Sequence, residues 1–246
     1  MDRANYEILE HGDIPEVKVL VAGFPGLGLI GGIASEQLIN TLSLEQVASI
    51  SCEEFPPTAV IFDGIPRRPV RIFAGQGFLL VKSDMVIPSH LANSLAKEII
   101  DWSVEKDIEE VIIFDGIPEA EEGTEDTHIW GVISTHSAAS HAEKLDIDII
   151  KRGAISGISS SLLLYAHENK VEAVAMLAEG SQNMPDPRAA AALLDKFADY
   201  MDLDINTSAL IESAEELESE YARLVEQTQK AQNDMDLKSA QPPLYG

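Results

Sequence analysis

The chain has 246 residues, 45% of them hydrophobic and 24% charged, which suits one large α/β domain, or one domain with an appendage, around a sizeable core. Forty-two acidic residues stand against seventeen basic ones, a net charge of −25. A surface this acidic repels nucleic-acid phosphates and anionic lipid, so neither is expected as a partner.

Val17–Ala22 reads as a buried first strand running into the glycine-rich Gly23–Gly32. Ile33–Leu42 has helical character, and Val47–Cys52 reads as a second strand before Phe55-Pro56-Pro57 breaks the pattern. Ala59–Phe62, Val70–Phe73 and Phe78–Val81, joined by short turns, predict a three-strand antiparallel meander, with Arg67 and Arg68 at a hairpin tip. Ser89–Lys106 predicts a helix with one buried stripe, Leu91, Leu95, Ile99 and Trp102, and Ser89 as its N-cap. Val111–Phe114 predicts the next strand. It ends in Phe114-Asp115-Gly116-Ile117-Pro118, which repeats Phe62–Pro66, and the simplest expectation is two turns of the same chemistry.

Ile129–Ser134 reads as a short strand and Ser137–Leu145 as a helix. A second glycine-rich turn, Gly153–Gly157, leads into a helix over Ser160–Asn169, and Val171–Ala178 is a strand by composition. Asp186-Pro187 opens a helix that runs to Met201, with proline at the first helical position and aspartate as its cap. From Thr207 a heptad seam begins. Leu210, Leu217, Leu224 and Ala231 recur every seven residues, and Ala214, Tyr221, Thr228 and Met235 do so offset by four. The seam either pairs with another chain or packs back on its own domain. The expected organisation is therefore an α/β domain over 1–206 with a mixed sheet flanked by helices, a helical appendage over 207–236, and an extended tail over 237–246.

A chain-wide acidity with few basic residues suits a salt-rich cytosol, and a halophilic source is expected. The single cysteine, Cys52, has no CxxC partner and fits a reducing compartment as an inert buried thiol. Residues 1–20 lack the basic and apolar regions of a signal peptide, and no apolar run reaches the roughly 20 residues of a membrane span, so a cytoplasmic location is expected.

Gly26-Leu27-Gly28-Leu29-Ile30-Gly31 has the G-x-G-x-x-G spacing after a strand, and Glu53 stands 22 residues beyond Gly31, near the place of a ribose-binding acid. The alternative function this offers is a nucleotide- or nucleoside-binding α/β enzyme. Against it, Pro25 removes an amide from the turn, and a meander follows where a nucleotide-binding half would continue with a helix and a parallel strand. Gly157–Ser161 starts like a nucleophile elbow but lacks the closing glycine. His136 and His141 are five apart, which does not place two ligands on one helical face. No catalytic constellation, cofactor or metal is therefore expected.

Four segments taken together resemble the archaeal branch of the proteasome assembly chaperone family. They are Gly23–Gly31, the run Asp84–Pro88 ahead of a helix ending Asp101-Trp102, the Gly153–Gly157 turn, and Asp186–Ala190 opening a late helix. The resemblance implies an α/β fold loosely like that of nucleoside phosphorylases and no established catalytic centre. It also implies homo- or hetero-oligomers that bind proteasome α-subunits. Leu244-Tyr245-Gly246 fits the hydrophobic–tyrosine–any-residue ending that such proteins insert between α-subunits. Leu244 offers apolar area, Tyr245 a ring and a hydroxyl, and Gly246 a terminal carboxylate for a buried lysine. Pro242-Pro243 stiffens the approach.

Overall fold

Continuous apolar runs form the centre of a nine-stranded sheet. The computed structural model describes residues 5–119, 127–182, 184–212 and 214. In chain order the elements are β1 (Tyr6–Glu10), β2 (Val19–Gly23), α1 (Ile30–Leu42), β3 (Glu45–Cys52), β4 (Val60–Phe62), β5 (Ile65–Arg67), β6 (Val70–Gly75), β7 (Phe78–Ser83), α2 (Ser89–Glu105), β8 (Glu110–Pro118), β9 (Ile129–Ile133), α3 (Ala139–Lys144), β10 (Asp148–Ile149), α4 (Gly157–Asn169), β11 (Glu172–Gly180) and α5 (Pro187–Met201). The main sheet has the order β1-β3-β6-β7-β2-β8-β11-β9-β10. Its centre, β7, β2, β8 and β11, is parallel, whereas β1, β3 and β6 join antiparallel on one side and β9 antiparallel on the other.

A strand covered on both faces must be apolar at every position. Leu20 and Ala22 of β2, Val111 and Ile113 of β8, and Leu177 of β11 face α2 and α4 in one core. Val21, Ile112, Phe114 and Met176 face α1, α3 and α5 in the other. Phe197 of α5 sits edge-on to both Phe78 and Phe114, with ring centroids 5.6 and 5.2 Å away. The mixed sheet flanked by helices is the expected fold class. Among the described residues no helix is long and apolar enough to cross a membrane.

Several expectations need correction. The three-strand meander is β3-β6-β7, because β4 leaves the sheet and pairs only with β5. This separate ribbon turns through Asp63 and Gly64, both at positive φ (50° and 76°), the geometry of a tight hairpin turn. The turn carries no arginine: Arg67 closes β5 and Arg68 follows it. The second Phe-Asp-Gly-Ile-Pro is not a turn at all. It continues β8 to Pro118, laddered in register with β11 from Leu177 to Gly180. Identical pentapeptides diverge because one has a neighbouring strand to pair with and the other folds back on itself. Ser89 is the first residue of α2, and Pro88 holds the cap position.

β1 and the two-residue β10 escaped the sequence reading. Both are edge strands, half exposed, and lack the apolar run that marks the centre. Of the expected heptad seam, Leu210 packs into the core shared by α1 and α5, and Ala214 is buried. Beyond Ala214, the helix expected to 236 and the tail 237–246 lie outside the described residues.

Candidate functional site

The loop from β2 to α1 and the start of α4 border a cleft of about 430 Å³ at the C-terminal ends of β2 and β8. Open α/β sheets hold ligands at this end of their strands. Phe24, Leu27, Ile87, Ile117 and Ile155 make its walls apolar, and among the described residues that line it Asp115 is the one charged side chain. Val86, at the rim, is 67% exposed.

Asp115 is held from two sides. Its Oδ1 accepts the Gly116 amide at 2.8 Å, and its Oδ2 accepts the Ser159 hydroxyl at 2.5 Å. Burial pushes its pKa up, and the two hydrogen bonds, which favour the charged form, pull it partly back. The carboxylate lies against Gly26: a Cβ there would stand 2.4 Å from Oδ1. A Cβ on Gly31 would stand 2.4 Å from the Phe114 carbonyl oxygen and 2.8 Å from that of Phe24. Gly28 takes φ +59°, and its carbonyl accepts the Asp186 amide at 2.8 Å.

The structure thus brings Gly26, Gly28 and Gly31 together at one loop, where strand, helix and carboxylate approach too closely for a side chain. It does not bring Glu53 to them. Glu53 follows β3, and β6 and β7 intervene between β3 and β2, roughly 14 Å at ordinary strand spacing. Asp115, not Glu53, is the acid beside the glycine loop. A carboxylate in contact with Gly26 opposes a phosphate at that point.

Ser159, from the segment resembling a nucleophile elbow, donates to Asp115, while the histidines lie elsewhere. His136 is exposed, and the His167 ring nitrogen meets the Ser134 carbonyl oxygen. Among the described residues no three His, Cys, Asp or Glu side chains are grouped to hold a metal.

A second polar cluster sits at the opposite end of the sheet. Glu110 and Glu172 open β8 and β11 directly opposite one another. His141 lies between them, with Nδ1 3.0 Å from Glu110 and Nε2 2.6 Å from Glu172, and the Tyr200 hydroxyl donates to Glu110 at 2.8 Å. Burial raises the pKa of Glu110, whereas hydrogen bonds from Ser137 and His141 lower that of Glu172. The four groups come from four elements, so no sequence spacing announced them. Asp115 was missed for a related reason: its partner Ser159 is 44 residues away, and its pentapeptide reads as a turn.

The sequence profile of the PAC2 family matches residues 20–225. The chain belongs to the PAC2 family. Among relatives within reach of sequence comparison, an uncharacterised protein of Methanocaldococcus jannaschii is 29% identical over 230 residues, covering 94% of this chain and 93% of its own. The crystal structure of Pyrococcus furiosus PbaA, an archaeal homolog of proteasome-assembly chaperone, superposes with a TM-score of 0.81 at 27% identity, over 95% of this chain and 97% of PbaA. Pyrococcus furiosus PbaB, an archaeal proteasome activator, shares the fold with a TM-score of 0.77 at 24% identity, over 92% of this chain and 100% of PbaB. The family match runs from within β2 past α5, and includes the Gly26–Gly31 loop, Asp115 and Ser159.

Proposed function

We propose that this chain is a cytoplasmic, homo-oligomeric proteasome assembly chaperone or activator-like protein that binds proteasome α-subunits. The observation carrying this reading is the near full-length likeness to PbaA, together with membership of the PAC2 family. We assign the docking contact to Leu244, Tyr245 and Gly246, which lie outside the described residues. Leu244 and the Tyr245 ring supply apolar area, and the tyrosine hydroxyl needs a single partner. Pro242 and Pro243 limit the ordering entropy lost on docking. One such tail buries little surface, so useful affinity comes from several tails of one oligomer engaging a ring of subunits together. The domain positions the tails, and among the described residues that line its candidate cleft no histidine joins Ser159 and Asp115.

The test is a pull-down against cognate α-subunits with the full chain and with a variant lacking residues 244–246. The full chain is expected to retain α-subunits and the truncated one to lose at least tenfold. Equal retention removes the tail from the mechanism but leaves the proteasome reading. Retention by neither removes that reading.

A further inference from the structure

The ribbon of β4 and β5 is an arm separate from the main sheet, with Phe62 and Arg67 bordering a cavity against α1, Leu44 and Phe73. It exposes Ile61 at 63%, Phe62 at 59% and Ile65 at 50%. A lone two-stranded hairpin is marginal in water, and neighbouring large apolar side chains left exposed mark a contact surface. At the base of the arm stand Arg67 and Arg68, both exposed. Arg68 donates to the Ser51 hydroxyl at 2.7 Å, and among the described residues neither arginine makes an ion pair, in a chain where 42 acids face 17 bases. A surface complementary to this arm is acidic with an apolar floor.

This chain carries such a surface at its other end. The arm is tied to β3, next to one edge of the sheet, and the opposite edge strand is β10. Beside β10 lies a hollow of about 510 Å³. Glu143, Asp146 and Asp148 rim it, and Ile129 and Ile147 line it. Lys196 pairs with Asp146 at 2.5 Å, and His128 lies 3.6 Å from Asp148, so three carboxylates face one fixed cation. Two arms meeting across a two-fold axis would bring four arginines together, and two hollows would bring six carboxylates together. Arm to hollow is the pairing that charge permits.

We infer that copies of this chain assemble head to tail, the β4–β5 arm of one docking by Ile61, Phe62, Arg67 and Arg68 into the Glu143–Asp148 hollow of the next. Such a contact is heterologous and repeats until a ring closes. The inference rests on the homo-oligomeric reading above and adds the surfaces that make the contact.

Charge exchange tests it. Solution mass is measured by light scattering for the wild type, for Arg67→Glu/Arg68→Glu, for Glu143→Lys/Asp148→Lys, and for an equimolar mixture of the two variants. All four positions are exposed, and unchanged circular dichroism verifies folding. Should the double arm variant fold poorly, Arg67→Glu alone replaces it, because Arg68 also holds Ser51. The wild type is expected to be multimeric, each variant alone to fall towards monomer, and the mixture to regain species heavier than either. Phe62→Asp should weaken association at least tenfold. Val104→Asp and Leu164→Asp, at exposed apolar positions of α2 and α4, should leave the mass unchanged. A multimeric wild type whose mass survives the arm and hollow changes overturns the arm contact but not the homo-oligomer. Loss of mass without rescue in the mixture overturns the pairing of arm with hollow. A monomeric wild type overturns both.

Discussion

Asp115 is ionisable, buried and set where a glycine makes room for it. A carboxyl whose folded pKa is raised binds its proton more tightly in the native than in the unfolded chain. Between the ordinary carboxylate range and the raised value, the native state therefore holds more protons, and stability falls as pH climbs through that window. Above it the loss is complete and constant. Asp115→Asn abolishes this titration. Its amide oxygen can still accept the Gly116 amide, but its NH2 replaces the oxygen that accepts from the Ser159 hydroxyl, a pH-independent cost of about 0.5–1.5 kcal/mol. Denaturant midpoints measured across pH should show the variant gaining on the wild type as pH rises through the window. A difference that stays constant with pH would mean that Asp115 titrates normally. The sequence displayed Gly26, Gly28 and Gly31 as a strand-to-helix junction, but not why they are glycines. The reasons are the Asp115 carboxylate at Gly26, the Phe114 carbonyl at Gly31, and at Gly28 a positive φ with the Ser181 carbonyl 3.1 Å from where a Cβ would stand, partners all remote in sequence.

Elements were legible where local and tertiary signals agreed. α5 runs from Pro187 to Met201 as its sequence indicates, because cap, first-turn proline and apolar period coincide. Asp186 Oδ1 accepts the Ala189 amide at 3.0 Å and Oδ2 accepts that of Ser181 at 2.9 Å, so one carboxylate fixes both the helix start and the beginning of the loop that leaves β11. Asp186→Ala should cost about 1–2 kcal/mol, the usual worth of an N-cap. In a domain of this size that is a fall of about 2–8 °C in Tm by calorimetry. Asp186→Asn, which still caps, should recover part of it, and an unshifted Tm for the alanine variant would show the cap to be idle. Legibility failed where partners decided. Phe62–Pro66 and Phe114–Pro118 share five residues, yet only the second finds β11 alongside. The order of strands in the sheet, with β3 and β6 inserted outside β7, follows from packing and has no signature along the chain.

At the scale of the molecule, composition stated the electrostatic problem and the structure shows how little of it is solved internally. The buried cations are tied up in pairs: Arg71 with Asp84 at 2.7 Å, and Lys82 with both Glu36 and Asp84. Others sit in partly exposed pairs, such as Lys106 with Glu10 at 2.8 Å, which contribute little. What is left is a net charge of −25 repelling itself over the surface. Unfolding spreads those charges apart, so repulsion favours the unfolded chain, and salt weakens it: the screening length is about 10 Å at 0.1 M and about 3 Å at 1 M. The denaturation midpoint should therefore rise steeply between roughly 0.1 and 1 M KCl, with folded signal lost at the lowest salt. Screening also predicts the shape of the curve. The gain should level off once the screening length is shorter than the spacing between surface charges, and KCl and NaCl should act alike. A rise that continues undiminished to higher salt, larger for sulfate than for chloride at equal ionic strength, would instead report strengthened apolar burial. A midpoint indifferent to salt would mean that the acidic surface costs the fold nothing, and the inference of a salt-rich cytosol would lose its physical ground.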